Sequence, residues 1–156
     1  MRIEICGGIA SGKTTLARCL DDAGFAAYFE NFQSNPFWKL FYENPGRYAF
    51  ETEITFFLQH YSQFRDAQDA NADHVVCDSS LLQDVAYANV NLAGPCLAAF
   101  TAVANAAQGL LGPPALVVHL TCSAEEELRR IRARARDEER GIQTSYLGTI
   151  RLTYQG

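Results

Sequence analysis

Several determinants of common protein classes are missing from this 156-residue chain. No Cys-x-x-Cys pair occurs and the cysteine number is odd: Cys6, Cys19, Cys77, Cys96 and Cys122. That speaks against a zinc site or a disulfide framework and for free thiols in a reducing compartment. Three of the five fall at or beside expected strand ends, where cysteine behaves as a small apolar residue. Positive charge is not in excess: the net charge is −5, which argues against polymeric nucleic acid or a membrane surface as a partner. No signal peptide precedes the first expected strand and no apolar run is expected to reach membrane-spanning length, so the expected location is cytoplasmic. Repeats, low-complexity tracts and interdomain linkers are absent as well. Hydrophobic residues make up 48% of the chain and aromatic residues 12%, so residues 1–156 read as one domain with an adequate core.

What is present is concentrated near the start. Arg2 to Cys6 reads as a short strand and Leu16 to Leu20 as the first turns of a helix. Between them lies Gly7-Gly8-Ile9-Ala10-Ser11-Gly12-Lys13-Thr14-Thr15. Gly-x-x-x-x-Gly-Lys-Thr between a strand and a helix is the context of a phosphate-binding loop. Glycines let backbone N–H groups turn toward phosphate oxygens, and the helix N-terminus adds partial positive charge. Lys13 can reach β- and γ-phosphates, and Thr14 can ligate Mg²⁺. The expected ligands are therefore ATP, or another nucleoside triphosphate, and Mg²⁺.

Further strands are expected at 25–29, 74–77 and 115–120, the last fully buried. Helices are expected at 48–69, 81–92, 96–111, 124–136 and 145–154, with a helical turn at 37–42. Ser123-Ala124-Glu125-Glu126 resembles a capping box that opens the helix at 124. Strands alternating with helices imply an α/β three-layer sandwich of the P-loop NTPase type, with a parallel sheet and helices on both faces. Ligands then bind at the carboxyl ends of the strands. Glu30 and Asp78 both end strands there. Two carboxylates beside a phosphate loop suit phosphoryl transfer to a hydroxyl: one binds Mg²⁺ and the other takes or orients the acceptor proton. Six of the thirteen Lys and Arg residues fall between Arg129 and Arg140, which implies a local anion site.

From Glu30 onward the chain resembles the deoxynucleoside kinases, including bacterial deoxyadenosine and deoxyguanosine kinases. The matching residues are Glu30, Asn35-Pro36, the run Phe41 to Phe50, the run Arg130 to Ile142, and Tyr146-Leu147. The resemblance implies transfer of the γ-phosphoryl group of ATP to the 5′-hydroxyl of a nucleoside. It makes Glu30 the general base, sets Tyr42 and Glu139 on the sugar 3′-hydroxyl, and places Asp78 near the metal. It also implies that Arg130, Arg134 and Arg136 close over the phosphates from an arginine-rich lid at about 129–141. With mixed charges and few apolar anchors, that lid is expected to be mobile until a triphosphate binds. The family's homodimers make the Ala-rich stretch Leu97 to Ala107 a candidate self-association surface.

The chain also departs from the family pattern. Ser79 stands where the family has arginine, Glu53 replaces the glutamine that reads the base, and His60 replaces an arginine. Asp84 is retained, but the base-stacking aromatic four residues later is Ala88, and the chain stops short of the fifth strand. An ionised Glu53 offers only acceptors, which suits the adjacent donors of guanine; alternatively Glu53 pairs with His60 and never meets the base. Two functions follow as expectations. One is an active kinase with an altered nucleoside acceptor, and the other is a catalytically weak nucleotide-binding homologue with a regulatory role.

Overall fold

β1 (Arg2–Gly7) is buried along its whole length and divides the molecule into two cores. The computed structural model describes residues 1–154; the last two residues of the expected domain lie outside that range. Strand side chains alternate between faces. Ile3 and Ile5 therefore meet Leu16, Ala17 and Leu20 of α1 (Lys13–Asp22) on one side. On the other side, Val75 and Cys77 of β3 (Val75–Cys77) pack under α3 (Pro45–Asp69), α4 (Leu81–Asn91) and α5 (Gly94–Leu111). Phe57, Phe64 and Phe100 lie fully buried there, each worth about 1.5–3 kcal/mol of burial. With β2 (Ala26–Tyr28) and β4 (Leu116–Leu120), the sheet runs β2-β3-β1-β4 with every neighbouring pair parallel. The three-layer α/β architecture is as expected.

β1 also buries charge. Arg2 Nε donates to Glu4 Oε1 at 2.9 Å, and Arg2 Nη2 donates to the Gly112 carbonyl at 2.8 Å. Glu4 Oε2 accepts from the Leu81 backbone N–H at 3.4 Å. The pair thus ties the central strand to the segments entering α4 and leaving α5.

Three expectations need correction. β4 is not fully buried: Leu116 is 50% and Val117 38% exposed. Among the described residues it pairs only with β1 and forms a sheet edge, and a short run of Leu and Val reads the same at an edge as in a centre. One apolar run does reach spanning length, since α5 is 18 residues long with mean hydropathy 1.2. Phe100, Ala104, Ala107 and Leu111 of that helix pack into the core at helical spacing. Finally, α3 starts at Pro45 rather than residue 48. Asn44 caps it by accepting from the Arg47 backbone N–H, and proline suits the first helical position, where its missing N–H costs nothing.

α2 (Trp38–Glu43) precedes α3, and a 3-10 turn at Phe32–Ser34 precedes α2. α6 (Ala124–Arg134) opens on the expected cap, Ser123 accepting from the Glu126 N–H at 3.2 Å. It ends two residues early because Ala135 takes a left-handed conformation, φ 51°. A second 3-10 turn, Asp137–Gly141, and α7 (Thr144–Thr153) complete the described chain.

Candidate active site

The loop after β1 is shaped by close approach. A Cβ on Gly7 would strike the Leu120 carbonyl oxygen, and one on Gly8 would strike the Glu127 carboxylate. Gly12 sits at φ 109°, a conformation glycine takes without strain. Lys13 turns back along the loop, its Nζ donating to the carbonyls of Gly7 at 3.1 Å and Gly8 at 2.9 Å. Burial lowers its pKa, opposed by the charges of Glu30, Asp78 and Glu127.

Thr14 Oγ1 donates to Asp78 Oδ2 at 2.6 Å, joining the start of α1 to the tip of β3. Burial pushes the Asp78 carboxyl up to about 6, against the pull of Thr14 and Lys13. Its Oδ1 is buried and has no partner. No group of three metal-ligating side chains occurs among the described residues. Mg²⁺ needs none, because it binds through one or two protein oxygens plus substrate phosphates and waters. The Thr14–Asp78 pair fits that ion. Ser79 turns elsewhere, donating to Gln63 Oε1 at 3.1 Å.

Glu30 follows β2, and His60 of α3 stands between it and Asp84 of α4. His60 Nε2 lies 3.3 Å from Glu30 Oε1, while Nδ1 lies 2.8 and 3.0 Å from the two Asp84 oxygens. Burial raises the Glu30 pKa, but His60, Lys13 and Arg136 together hold it below its ordinary value. Glu53 does not pair with His60. Its Oε1 accepts from Asn91 Nδ2 at 2.7 Å, and Asn91 in turn bonds the Tyr146 hydroxyl. Burial pushes the Glu53 carboxyl up to about 8.

At the lid, Arg134 grips Glu139 through two bonds of 2.8 and 2.6 Å, and Arg136 reaches the same carboxylate at 3.3 Å. The Arg136 guanidinium also lies 4.0 Å from the Phe32 ring centroid. Arg130 pairs with Glu126 and donates to the loop carbonyls of Ala10 and Ser11. The lid is better anchored than expected: Ile131 and Ile142 flank it in a third apolar cluster with Leu147. Tyr42 packs against that cluster, and burial keeps its hydroxyl protonated.

Ile9 to Thr15, Glu30, Tyr42, Glu53, Asp84, Arg134, Arg136 and Glu139 all border one cavity of about 680 Å³. Gly7, Gly8, Asp78 and Arg130 do not line it but bond residues that do: Lys13, Thr14, Ala10 and Ser11. Ala88 does not line it and belongs to the core; the aromatic on that wall is its neighbour Tyr87. Sequence reasoning also missed Phe56 and Gln83. Their signal was helical spacing, because Phe56 lies three residues after Glu53 and Gln83 four residues before Tyr87. Four buried side-chain polar atoms among the described residues have no hydrogen-bond partner: Ser11 Oγ, His60 Nε2, Asp78 Oδ1 and Gln83 Oε1. All four belong to this site. Each such orphan costs roughly 1–3 kcal/mol, so a place that collects them is built for a polar ligand.

The family model described as "Deoxynucleoside kinase" matches residues 3–156. A deoxyguanosine kinase of Bacillus subtilis (strain 168) is 30% identical over 98% of this chain and 76% of its own length. A deoxyadenosine kinase of Dictyostelium discoideum is 27% identical over 97% of this chain and 64% of its own. The chain therefore spans about two thirds to three quarters of these two relatives. Among solved structures, deoxyadenosine kinase from M. mycoides with products dCMP and dCDP superposes with a TM-score of 0.87 at 23% identity, covering 99% of this chain and 82% of that one. The same enzyme with bound dATP gives 0.84 at 23% identity and the same coverage. At that identity the likeness speaks for the fold.

Proposed function

The chain belongs to the deoxynucleoside kinase family, whose members phosphorylate nucleosides with ATP, and from that premise we propose that it transfers the γ-phosphoryl group of ATP to the 5′-hydroxyl of a deoxynucleoside, with Glu30 as base. The observation that carries this reading is the set of orphaned polar atoms, which runs from the phosphate loop (Ser11) past the metal position (Asp78) to the acceptor wall (Gln83). Backbone N–H groups of residues 8–14 and Lys13 hold the triphosphate. Thr14 and Asp78 would hold Mg²⁺, which when bound neutralises charge on the β- and γ-oxygens. Glu30 stays ionised at neutral pH and takes the proton of the 5′-hydroxyl as the new P–O bond forms. Tyr42 donates toward the sugar 3′-hydroxyl and Glu139 accepts from it. Arg130, Arg134 and Arg136 stabilise charge on the transferring group, guanidinium geometry matching phosphate oxygens. The exposed Ala-rich face of α5 is the surface proposed for self-association.

The test is consumption of ATP with Mg²⁺ against a panel of deoxynucleosides, with the product identified as the 5′-monophosphate. ATP hydrolysis independent of every nucleoside would instead support a nucleotide-binding module.

Glu53 governs the choice of base, and its environment revises the guanine preference expected of an ionised carboxylate. With a pKa pushed up to about 8 by burial, the side chain is mostly neutral at pH 7. A neutral carboxyl offers one O–H donor and acceptor oxygens, much as an amide does. It then suits an edge with one donor and one acceptor, such as adenine or cytosine. Above pH 8 it ionises and suits guanine. The expected result is a kcat/KM ratio for deoxyguanosine over deoxyadenosine that rises up to about 100-fold from pH 7 to pH 9, the ionised fraction rising as the neutral fraction falls. In Glu53→Gln the ratio should be flat with pH. A flat ratio in the wild type as well would remove Glu53 from base selection.

A further inference from the structure

His60 is a buried histidine with a carboxylate at each ring nitrogen. Asp84 bonds Nδ1, and Glu30 approaches Nε2 at 3.3 Å without the direction of a good hydrogen bond. Only the protonated ring presents a donor to both sides. Neighbours on α3 fix the ring plane: Phe56 is stacked at 6.1 Å and 20°, and Phe64 lies at 6.4 Å and 30°. Ser79, beside Asp78, is directed to Gln63 and brings no charge to Glu30.

We propose that His60 is a positioning residue for phosphoryl transfer, an imidazolium that keeps Glu30 ionised and aimed at the acceptor hydroxyl while Asp84 fixes the ring. This rests on Glu30 being the base. Other charges act on the pair from every side: Lys13 from the phosphate loop and Arg136 from the lid on Glu30, Asp78 from β3 and Glu53 from α3 on His60. Among the described residues, His60 alone reaches both carboxylates. Burial pulls the His60 pKa down, but Asp84 and Glu30 outweigh it and push it up to about 10. The imidazolium keeps its proton through the reaction. The hydroxyl proton passes to Glu30, a P–O bond forms to the acceptor, and the bond to the leaving diphosphate breaks.

A second cavity of about 380 Å³ opens behind the pair, bordered by Glu30, His60, Gln59, Gln63 and Asp66. Small cations can therefore reach the place of His60 from the rear. That gives the proposal a direct test.

The experiment compares kcat/KM against pH for wild type, His60→Gln, His60→Arg and Glu30→Gln. A cation beside a carboxylate depresses its pKa by about 1–3 units, so His60→Gln should move the acid limb up by at least about one unit. At a pH below the new limb, activity falls about tenfold per unit of that shift, while the KM for ATP stays unchanged. His60→Arg, a permanent cation, should return the limb to its wild-type position. His60→Ala should regain activity with added imidazole. In the wild type, ring resonances of His60 should report an imidazolium beyond pH 8, a measurement that needs no folded variant. A neutral ring at pH 7 overturns the proposal. So does a His60→Gln profile superimposable on wild type beside an inactive Glu30→Gln. If Glu30→Gln itself turns over normally, the reading of Glu30 as base fails first.

Discussion

Glu30→Gln is expected to depress turnover about 10²–10⁴-fold, the usual contribution of a general base, with ATP affinity retained. The substitution keeps the shape of the side chain and one acceptor oxygen. It loses the capacity to accept the 5′-hydroxyl proton, and it removes a charge that His60 and Lys13 both face. The glutamine should fit without strain, because the Glu30 side chain is 24% exposed and lies at the junction of two cavities. ATP binding is set by the phosphate loop, which Glu30 does not touch. Turnover and nucleotide affinity should therefore separate: single-turnover rates collapse while the ATP dissociation constant holds. A mutant that binds ATP poorly yet turns over normally would show that Glu30 is not the base.

Lys13→Ala should cost about 3 kcal/mol of transition-state stabilisation, roughly 150-fold in kcat, as the loss of one preorganised donor does elsewhere. In the present structure the ammonium is occupied by the carbonyls of Gly7 and Gly8. A bound triphosphate is expected to draw the ammonium off these carbonyls and onto phosphate oxygens. Truncation removes no apolar packing from the core, and the melting temperature should stay close to that of the wild type. Wild-type turnover in this variant, measured with saturating nucleoside and Mg²⁺, would take the phosphate loop out of the mechanism.

The N-terminal half of the site was legible because its chemistry is local. A phosphate loop is a contiguous string, and Glu30 and Asp78 were found by one rule about strand ends. The acceptor side was harder, because its residues lie on different helices. Glu53 and Asn91 are far apart in the chain, and nothing in either segment names the other; their hydrogen bond exists only because α3 and α4 pack together. The same holds for His60 and Asp84, whose pairing stands in place of the alternative Glu53–His60 contact. Two turns along one helix is a weaker constraint than a carboxylate facing it from the next helix. β4 was misjudged for a related reason, since whether Leu116 and Val117 are covered depends on what lies beyond the strand.

The buried pair at Arg2 and Glu4 has a temporal consequence. β1 carries the phosphate loop and is made before both its neighbours, β3 at residue 75 and β4 at residue 116. The partners of the charged pair come late as well, since Arg2 also bonds the carbonyl of Gly112. Until that turn has been synthesised, the strand holds two charges with no complete place to bury them, and its ladder has no second side. Contacts of such long sequence separation close slowly. The segment that defines the chemistry is thus made before its strand partners and locked only after them. Amide protection at Glu4 and Cys6, whose N–H groups face β4, would appear during synthesis only once the chain has passed β4.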